Sequence, residues 1–288
     1  MKHIHRFCVF FQHRQLILRD ALAHGRLATL KIKDVKNQYF ELGEWQNTAL
    51  SSVDAVLMRK DPPVDDQFIH DTQILSLAES QGVLVVNRAQ GLRDMNEKLT
   101  TLLFPQCCPE TLVSRSMTDL KEFIRRHGDT VVKPLNGMGG KSIFRIRHGD
   151  GNANVILETL TDSGSLTMAQ KFIPEIAQGD KRILLVDGEP VPYVLARIPQ
   201  GDEFRGNLAA GGRGQGQPLS ERDRWIAQQV GPWLKEQGML FVGLDVIGDY
   251  LTEVNVTSPT CVRELDAQFG LNIAGLLFDA IEARLAKT

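Results

Sequence analysis

Leu240-Phe241-Val242-Gly243-Leu244-Asp245-Val246-Ile247 and Leu251-Thr252-Glu253-Val254-Asn255-Val256 are two apolar, β-branched runs joined by Gly248-Asp249-Tyr250 and followed by Thr257-Ser258-Pro259. Runs of that length and composition between turn residues read as consecutive strands of a hairpin. Side chains along a strand alternate between faces, so Glu253 and Asn255 share one. Asp245 joins them only if it stands opposite Glu253. Counting along the strands, that requires a three-residue loop, Gly248-Asp249-Tyr250, whereas a two-residue loop sends Asp245 to the other face. Two carboxylates and an amide oxygen on one face suit Mg²⁺ held between protein and phosphates, because magnesium keeps oxygen ligands and is seldom caged by protein alone. The plain alternative is an edge hairpin with a polar solvent side.

Working back along the chain, Asp187-Gly188 is a short-hairpin turn between strand-like residues 183–186 and 190–196. Residues 198–216 carry Gly201, Gly206, Gly211, Gly212, Gly214 and Gly216 with almost no periodicity, and read as a long exposed loop. Ser220 opens an amphipathic helix to about residue 237, and another helix covers 273–285. The first half reads differently. Strand-like runs at 7–11, 55–58 and 83–86, with a helix-period stretch at 68–80, describe parallel β–α–β units. Ser116 caps a helix to about residue 126, a strand follows at 130–133, and Gly137-Met138-Gly139-Gly140 is a turn. The expected fold class is therefore α/β (α+β). A parallel-sheet domain over 1–95 is followed by two mixed subdomains over 96–170 and 171–288.

Lys133 ends its strand just before Asn136 and the glycine turn, and Lys98 follows Asn96-Glu97. Glycines let backbone N–H groups approach anionic oxygens and lysine adds point charge, so this arrangement suits phosphates. It is not a P-loop: the leading glycine of that motif falls where Leu135 stands, and the spacing does not fit a dinucleotide fingerprint either. Arg182, Arg197, Arg205 and Arg213 lie on or beside the hairpin and the long loop, where guanidinium groups can grip carboxylate or phosphate. A glycine-rich lid beside them suits a reaction whose intermediate must be kept from water.

Bulk properties narrow the classes. The chain has 288 residues, 42% of them hydrophobic, and a formal net charge of -2. That favours small-molecule chemistry over nucleic acid or an anionic membrane surface. Cys8, Cys107, Cys108 and Cys261 make neither a disulfide framework nor a CxxC site, which fits a reducing cytoplasm. No run approaches the length of a membrane span, and residues 7–11 are too short for a signal-peptide core.

Taken together, Leu57-Met58-Arg59-Lys60-Asp61-Pro62-Pro63, Leu92-Arg93-Asp94-Met95-Asn96-Glu97-Lys98, residues 133–140, 198–201 and 205–213, and Glu253-Val254-Asn255-Val256-Thr257-Ser258-Pro259-Thr260 resemble the bacterial glutathione synthetases, a family of ATP-grasp ligases. The resemblance runs from about residue 54 to the end. It implies an ATP-grasp fold and ATP-dependent joining of γ-glutamylcysteine to glycine through an acyl phosphate. By it, Lys98, Lys133, Gly137, Gly139 and Gly140 contact ATP phosphates, Gln170, Lys171, Phe172 and Ile173 line the adenine pocket, and Asp180 holds the ribose. It further implies Mg²⁺ (or Mn²⁺) at Asp245, Glu253 and Asn255, and peptide substrate at Arg182, Arg197, Ser258 and Glu264. Arg182, Arg197 and Arg205 would act at the reacting groups, under a lid formed by 198–213. A cytoplasmic homotetramer is implied as well. Asn136 replaces the family's usual aspartate. Residues 7–11 look like the family's second strand, so its opening strand and helix have no counterpart here. Two other readings stay open at this point: a different ATP-grasp carboxylate–amine ligase, or a silent nucleotide-binding paralogue.

Overall fold

The computed structural model describes residues 9–10, 12–33, 35, 38–201, 205–206 and 211–287. Strands β1 (Val9–Phe10), β2 (Leu16–Arg19), β3 (Leu22–Ile32) and β4 (Phe40–Ala49) make an antiparallel sheet. Asp20 and Ala21 take the positive φ that a two-residue hairpin between β2 and β3 needs. This corrects the expectation that residues 7–11 belong to a parallel sheet: Val9 pairs antiparallel with Thr29, while residues 7, 8 and 11 lie outside the described residues. Val9 is half-buried against the core. The period of two fails to reveal β4 because Ala28 pairs with Trp45 but Leu30 with Leu42. Three steps on one strand match two on the other, and such a bulge breaks the alternation.

β5 (Ala55–Leu57), α1 (Asp66–Ser80) and β6 (Leu84–Val86) form the expected parallel β–α–β unit. Asp65 caps α1 by accepting from Phe68 N–H at 2.8 Å, and the helix turns Phe68, Leu75 and Ala78 into the core. α2 (Ala89–Asp94) follows.

The next sheet has the order β7-β10-β8-β9, from β7 (Thr111–Ser114), β8 (Asp129–Pro134), β9 (Phe144–Arg147) and β10 (Thr167–Lys171), with α3 (Met117–His127) and α4 (Ala153–Leu160) between. Ser116 caps α3 as its sequence suggests. Val132 and Ala169 face these helices, packing with Leu120, Ile124 and Leu157. By alternation their neighbours Val131, Lys133 and Gln170 face the other way.

The last sheet is antiparallel, β13-β12-β11-β14-β15, from β11 (Asp180–Val186), β12 (Glu189–Ile198), β13 (Arg213–Pro218), β14 (Phe241–Ile247) and β15 (Tyr250–Asn255). α5 (Glu221–Glu236), opened by a Ser220/Asp223 capping box, covers one face, and α6 (Val262–Phe269) and α7 (Ile273–Leu285) cover the other. Along β11 and β14 that second face reads Asp180-Arg182-Leu184-Val186 and Phe241-Gly243-Asp245. Its apolar end is packed by α6 and α7, and its charged end is left for a site.

Residues 213–216 were expected in the long loop, but they form β13, with Ile198 paired to Arg213. Glycine here serves packing: a Cβ on Gly216 would come 2.2 Å from the Phe269 ring, and its N–H donates to Gln268 Oε1 at 2.7 Å. Residues 202–204 and 207–210 of the expected lid lie outside the described residues. Cys107, Cys108 and Cys261 are free thiols. Among the described residues no helix is long and apolar enough to cross a membrane.

Candidate active site

The β14–β15 hairpin sets the geometry. Its loop has two residues, Gly248-Asp249, because Ile247 pairs with Tyr250. The three-residue loop expected from the sequence is therefore corrected, yet Asp245 still pairs with Glu253, because Thr252 is an extra residue inserted between the Val246–Leu251 and Asp245–Glu253 pairs. Such a bulge restores the parity the short loop would have spoiled. It is held by Thr252 Oγ1 donating to the Asp245 carbonyl at 3.1 Å. Asp245 and Glu253 line one cleft. Asn255 lies two residues on from Glu253, its Nδ2 donating to the Gly243 carbonyl at 3.2 Å, so that Oδ1 is the atom that could hold a metal.

Two lysines enter this cleft from different elements. Lys98 Nζ donates to the Gly137 carbonyl at 2.7 Å and lies 3.3 Å from Glu253. Lys133 Nζ reaches only the Thr252 carbonyl, at 3.5 Å, and has no ion pair among the described residues although it is 5% exposed. Burial pushes its pKa down, Lys98 pushes the same way, and Glu253 opposes. A buried ammonium without a counter-ion is costly to hold and suits an arriving anion. Gly137, Gly139 and Gly140 line the same cleft, and Arg205 Nη1 donates to the Gly140 carbonyl at 2.8 Å.

Beneath the carboxylates lies a buried ionic network. Arg182 grips Asp245 with two donors, Nη2 at 3.0 Å, and Arg197 reaches Asp245 at 2.9 Å while also donating to the Asp180 carbonyl and carboxylate. Burial disfavours charge on Asp245, but the two guanidinium groups outweigh it and hold its pKa well below the ordinary range. Gly243 makes room for this network, since a Cβ there would meet Arg182 Cδ at 2.8 Å and Pro259 Cβ at 3.0 Å. Gly243→Ala is therefore expected to cost about 1–3 kcal/mol by overpacking and to lower turnover by displacing Arg182. Urea unfolding and steady-state rates would check this, and an unchanged variant would show that Arg182 has slack.

Above the charges the cleft is apolar. Val131, Met138, Ile143, Phe172, Ile173 and Ile247 wall a slot beside Gln170 and Lys171. All the residues expected to hold ATP line this cleft: Lys98, Lys133, Gly137, Gly139, Gly140, Gln170, Lys171, Phe172, Ile173 and Asp180. Arg182 and Arg197 stand behind it, bound to the acids. Ser258 Oγ hydrogen-bonds Asp61. Glu264 is exposed on α6 and is not among the cleft-lining residues.

Residues 97–270 match the model of the prokaryotic glutathione synthetase ATP-grasp domain and residues 2–93 that of the family's N-terminal domain. The chain belongs to the prokaryotic glutathione synthetase family. It is 68% identical over 273 residues to the glutathione synthetase of Xanthomonas axonopodis pv. citri, covering 94% of this chain and 86% of that one. It is 57% identical over 277 residues to the Pseudomonas putida glutathione synthetase, covering 96% and 87%. Solved structures share the fold at lower identity. The D-cycloserine synthetase DcsG superposes with a TM-score of 0.64 at 16% identity, covering 82% of this chain and 85% of that one. The ATP-grasp ligase PsnB, solved with a minimal precursor, Mg and ADP, gives 0.60 at 16%, covering 90% and 85%.

Within this glutathione synthetase family member, several residues that hold the site together carried no signal in the sequence. Thr252 looks like any strand threonine until the bulge is seen. Asn87 looks like a loop residue, but its buried amide donates to the Phe241 and Val256 carbonyls at 2.8 and 2.7 Å and accepts from Phe241 N–H at 2.8 Å. Asp180 is the other surprise. Its Oδ1 is buried with no hydrogen-bond partner among the described residues, and burial pushes its pKa up to about 6 against the pull of Arg197. The folded form then holds the proton to higher pH than the unfolded chain does. Its contribution to stability is full below about pH 4 and is lost as pH rises through about 6. Unfolding free energies of the protein and of Asp180→Asn should show the unsubstituted protein losing ground over that window. A constant difference across it would contradict the assignment.

Proposed function

We propose that the chain joins γ-glutamylcysteine to glycine with conversion of ATP to ADP and phosphate. Lys133 carries the argument: a buried cation with no ion pair among the described residues, its Nζ 3.5 Å from the Thr252 carbonyl at the hairpin bulge, in a cleft that continues into an apolar slot. ATP fits this arrangement, with adenine between Phe172, Ile173 and Val131 and phosphates against Lys98, Lys133 and the glycine turn. A ribose hydroxyl can donate to the orphaned Asp180 Oδ1.

A carboxylate is a poor electrophile. The dipeptide carboxylate attacks the γ-phosphorus, the β–γ bridging bond breaks, and ADP departs from an acyl phosphate. The glycine amine then attacks the acyl carbon, loses a proton, and phosphate leaves with its electron pair. No side chain needs to form a covalent bond. Lys98 and Lys133 neutralise charge on the transferred group, Arg205, with Ser258 and Glu264, holds the peptide, and Arg182 and Arg197, expected from the sequence at the peptide, act instead from behind the cleft through the acids they bind.

The donors fit a divalent ion. A carboxylate offers about four acceptor sites, so Asp245 keeps capacity beyond its arginines, and Glu253 is bound only on the side of Lys98. Mg²⁺ or Mn²⁺ held by Asp245, Glu253 and the Asn255 oxygen would supply charge neutralisation at the phosphates. A cytoplasmic homotetramer accompanies this reading by family resemblance. The test is product analysis with γ-glutamylcysteine, glycine and ATP: glutathione, ADP and phosphate in equal amounts are expected. AMP and pyrophosphate, or no glutathione, would sink the proposal.

A further inference from the structure

Glu97 stands next to Lys98 but does a different job. Its carboxylate Oε1 accepts from Val256 N–H at 3.1 Å, Thr257 N–H at 3.2 Å and Thr257 Oγ1 at 2.9 Å. Its backbone carbonyl accepts from Val254 N–H at 2.8 Å. β15 is the last strand of its sheet, so its outer N–H groups have no neighbouring strand, and Glu97 satisfies them from another part of the chain. The residues it grips interleave with the site: Val254 lies between Glu253 and Asn255, and Val256 and Thr257 lie between Asn255 and Ser258. On its other side, the next residue is Lys98, whose Nζ contacts Glu253. One side chain thus fixes where the strand carrying the expected metal ligands sits relative to a phosphate-facing lysine. An exposed ion pair could not do this, because three donors converging on one half-buried carboxylate oxygen define position as well as contact.

We propose that Glu97 is a positioning residue for phosphoryl transfer, setting Glu253 and Asn255 against Lys98. The proposal rests on the nucleotide and metal reading of this cleft. Groups that orient metal ligands from behind cost about 10–100-fold in metal affinity or activity when removed. Glu97→Ala is therefore expected to lower kcat about 10–100-fold with a KM for glycine nearly unchanged. It is also expected to weaken Mn²⁺ binding to the ADP complex, read by calorimetry without turnover, about as much. Glu97→Gln keeps an acceptor at the same place and should recover much of both losses. Thr257→Val removes one donor only, and should lower kcat and Mn²⁺ affinity a few-fold in a protein that keeps its fold.

A merely structural role would lower the melting temperature of Glu97→Ala while leaving kcat and Mn²⁺ affinity within two-fold below that temperature, and that result overturns the proposal. If Glu97→Ala does not fold, Thr257→Val decides: unchanged kcat and Mn²⁺ affinity in that variant overturn it, and a few-fold loss of both supports it. Should the unsubstituted protein bind neither Mn²⁺ nor ADP, it is the underlying reading of the cleft that fails, whatever Glu97 does.

Discussion

Glu253→Gln is expected to lower phosphoryl transfer by on the order of 100- to 1,000-fold while leaving the melting temperature nearly unchanged, because the substitution removes one of the two carboxylate charges proposed to hold the divalent ion at the phosphates. Glu253 is partly exposed, its side chain 21% accessible, and its ion pair with Lys98 is a contact at 3.3 Å rather than a buried clamp. Losing one charge at such a position costs little stability. Lys98 also keeps its bond to the Gly137 carbonyl, so it is not left unsatisfied. Single-turnover formation of ADP, measured beside thermal unfolding, separates the two effects. Turnover unchanged in a folded variant would remove Glu253 from the site.

Asp245→Asn should behave in the opposite way, losing stability as well as activity. Asp245 is 2% exposed and holds two buried guanidinium groups, so among the described residues removing its charge leaves Arg182 with no other ion-pair partner and Arg197 with Asp180 alone. Breaking a buried pair from one side costs about 3–5 kcal/mol, a large share of a typical 5–15 kcal/mol. The melting midpoint should fall by roughly 10 °C. The pH dependence follows from the lowered pKa of Asp245. Its stabilisation is present above the unfolded carboxylate range and is lost as pH falls below it, opposite in sign to Asp180. An Asp245→Asn variant that melts with the unsubstituted protein would mean that the network contributes little to the fold.

What could be read from the sequence was governed by how local the cause was. The Asp187-Gly188 turn, the Ser116 and Ser220 caps and the parallel unit around α1 are set by residues within a few positions of one another, and the structure has them where the pattern put them. Resemblance points to Lys98, Lys133 and the glycine turn because they lie in contiguous motifs, and these residues line one cleft. The failures are non-local. The antiparallel sheet over 9–49 depends on a bulge and on pairing across the chain, and Gly214 and Gly216 read as loop because their neighbours, Leu195 and Phe269, are distant in sequence. Asp245 is the instructive case. The right pairing was tied to the wrong loop length, because a bulge at Thr252 cannot be counted from residue spacing. The contacts of Glu97 and Asn87 span 154 residues or more and leave no local trace.

The central claim, that this cleft activates a carboxylate by phosphorylating it, is tested most directly by oxygen transfer. γ-Glutamylcysteine labelled with ¹⁸O in its cysteinyl carboxylate is incubated with the protein, ATP, Mg²⁺ and glycine, and the released phosphate is analysed by mass. An acyl phosphate requires that each glutathione formed leave one carboxylate oxygen on phosphate, so singly labelled phosphate equal in amount to glutathione is the expected result. Unlabelled phosphate, or label found on AMP, would contradict the account.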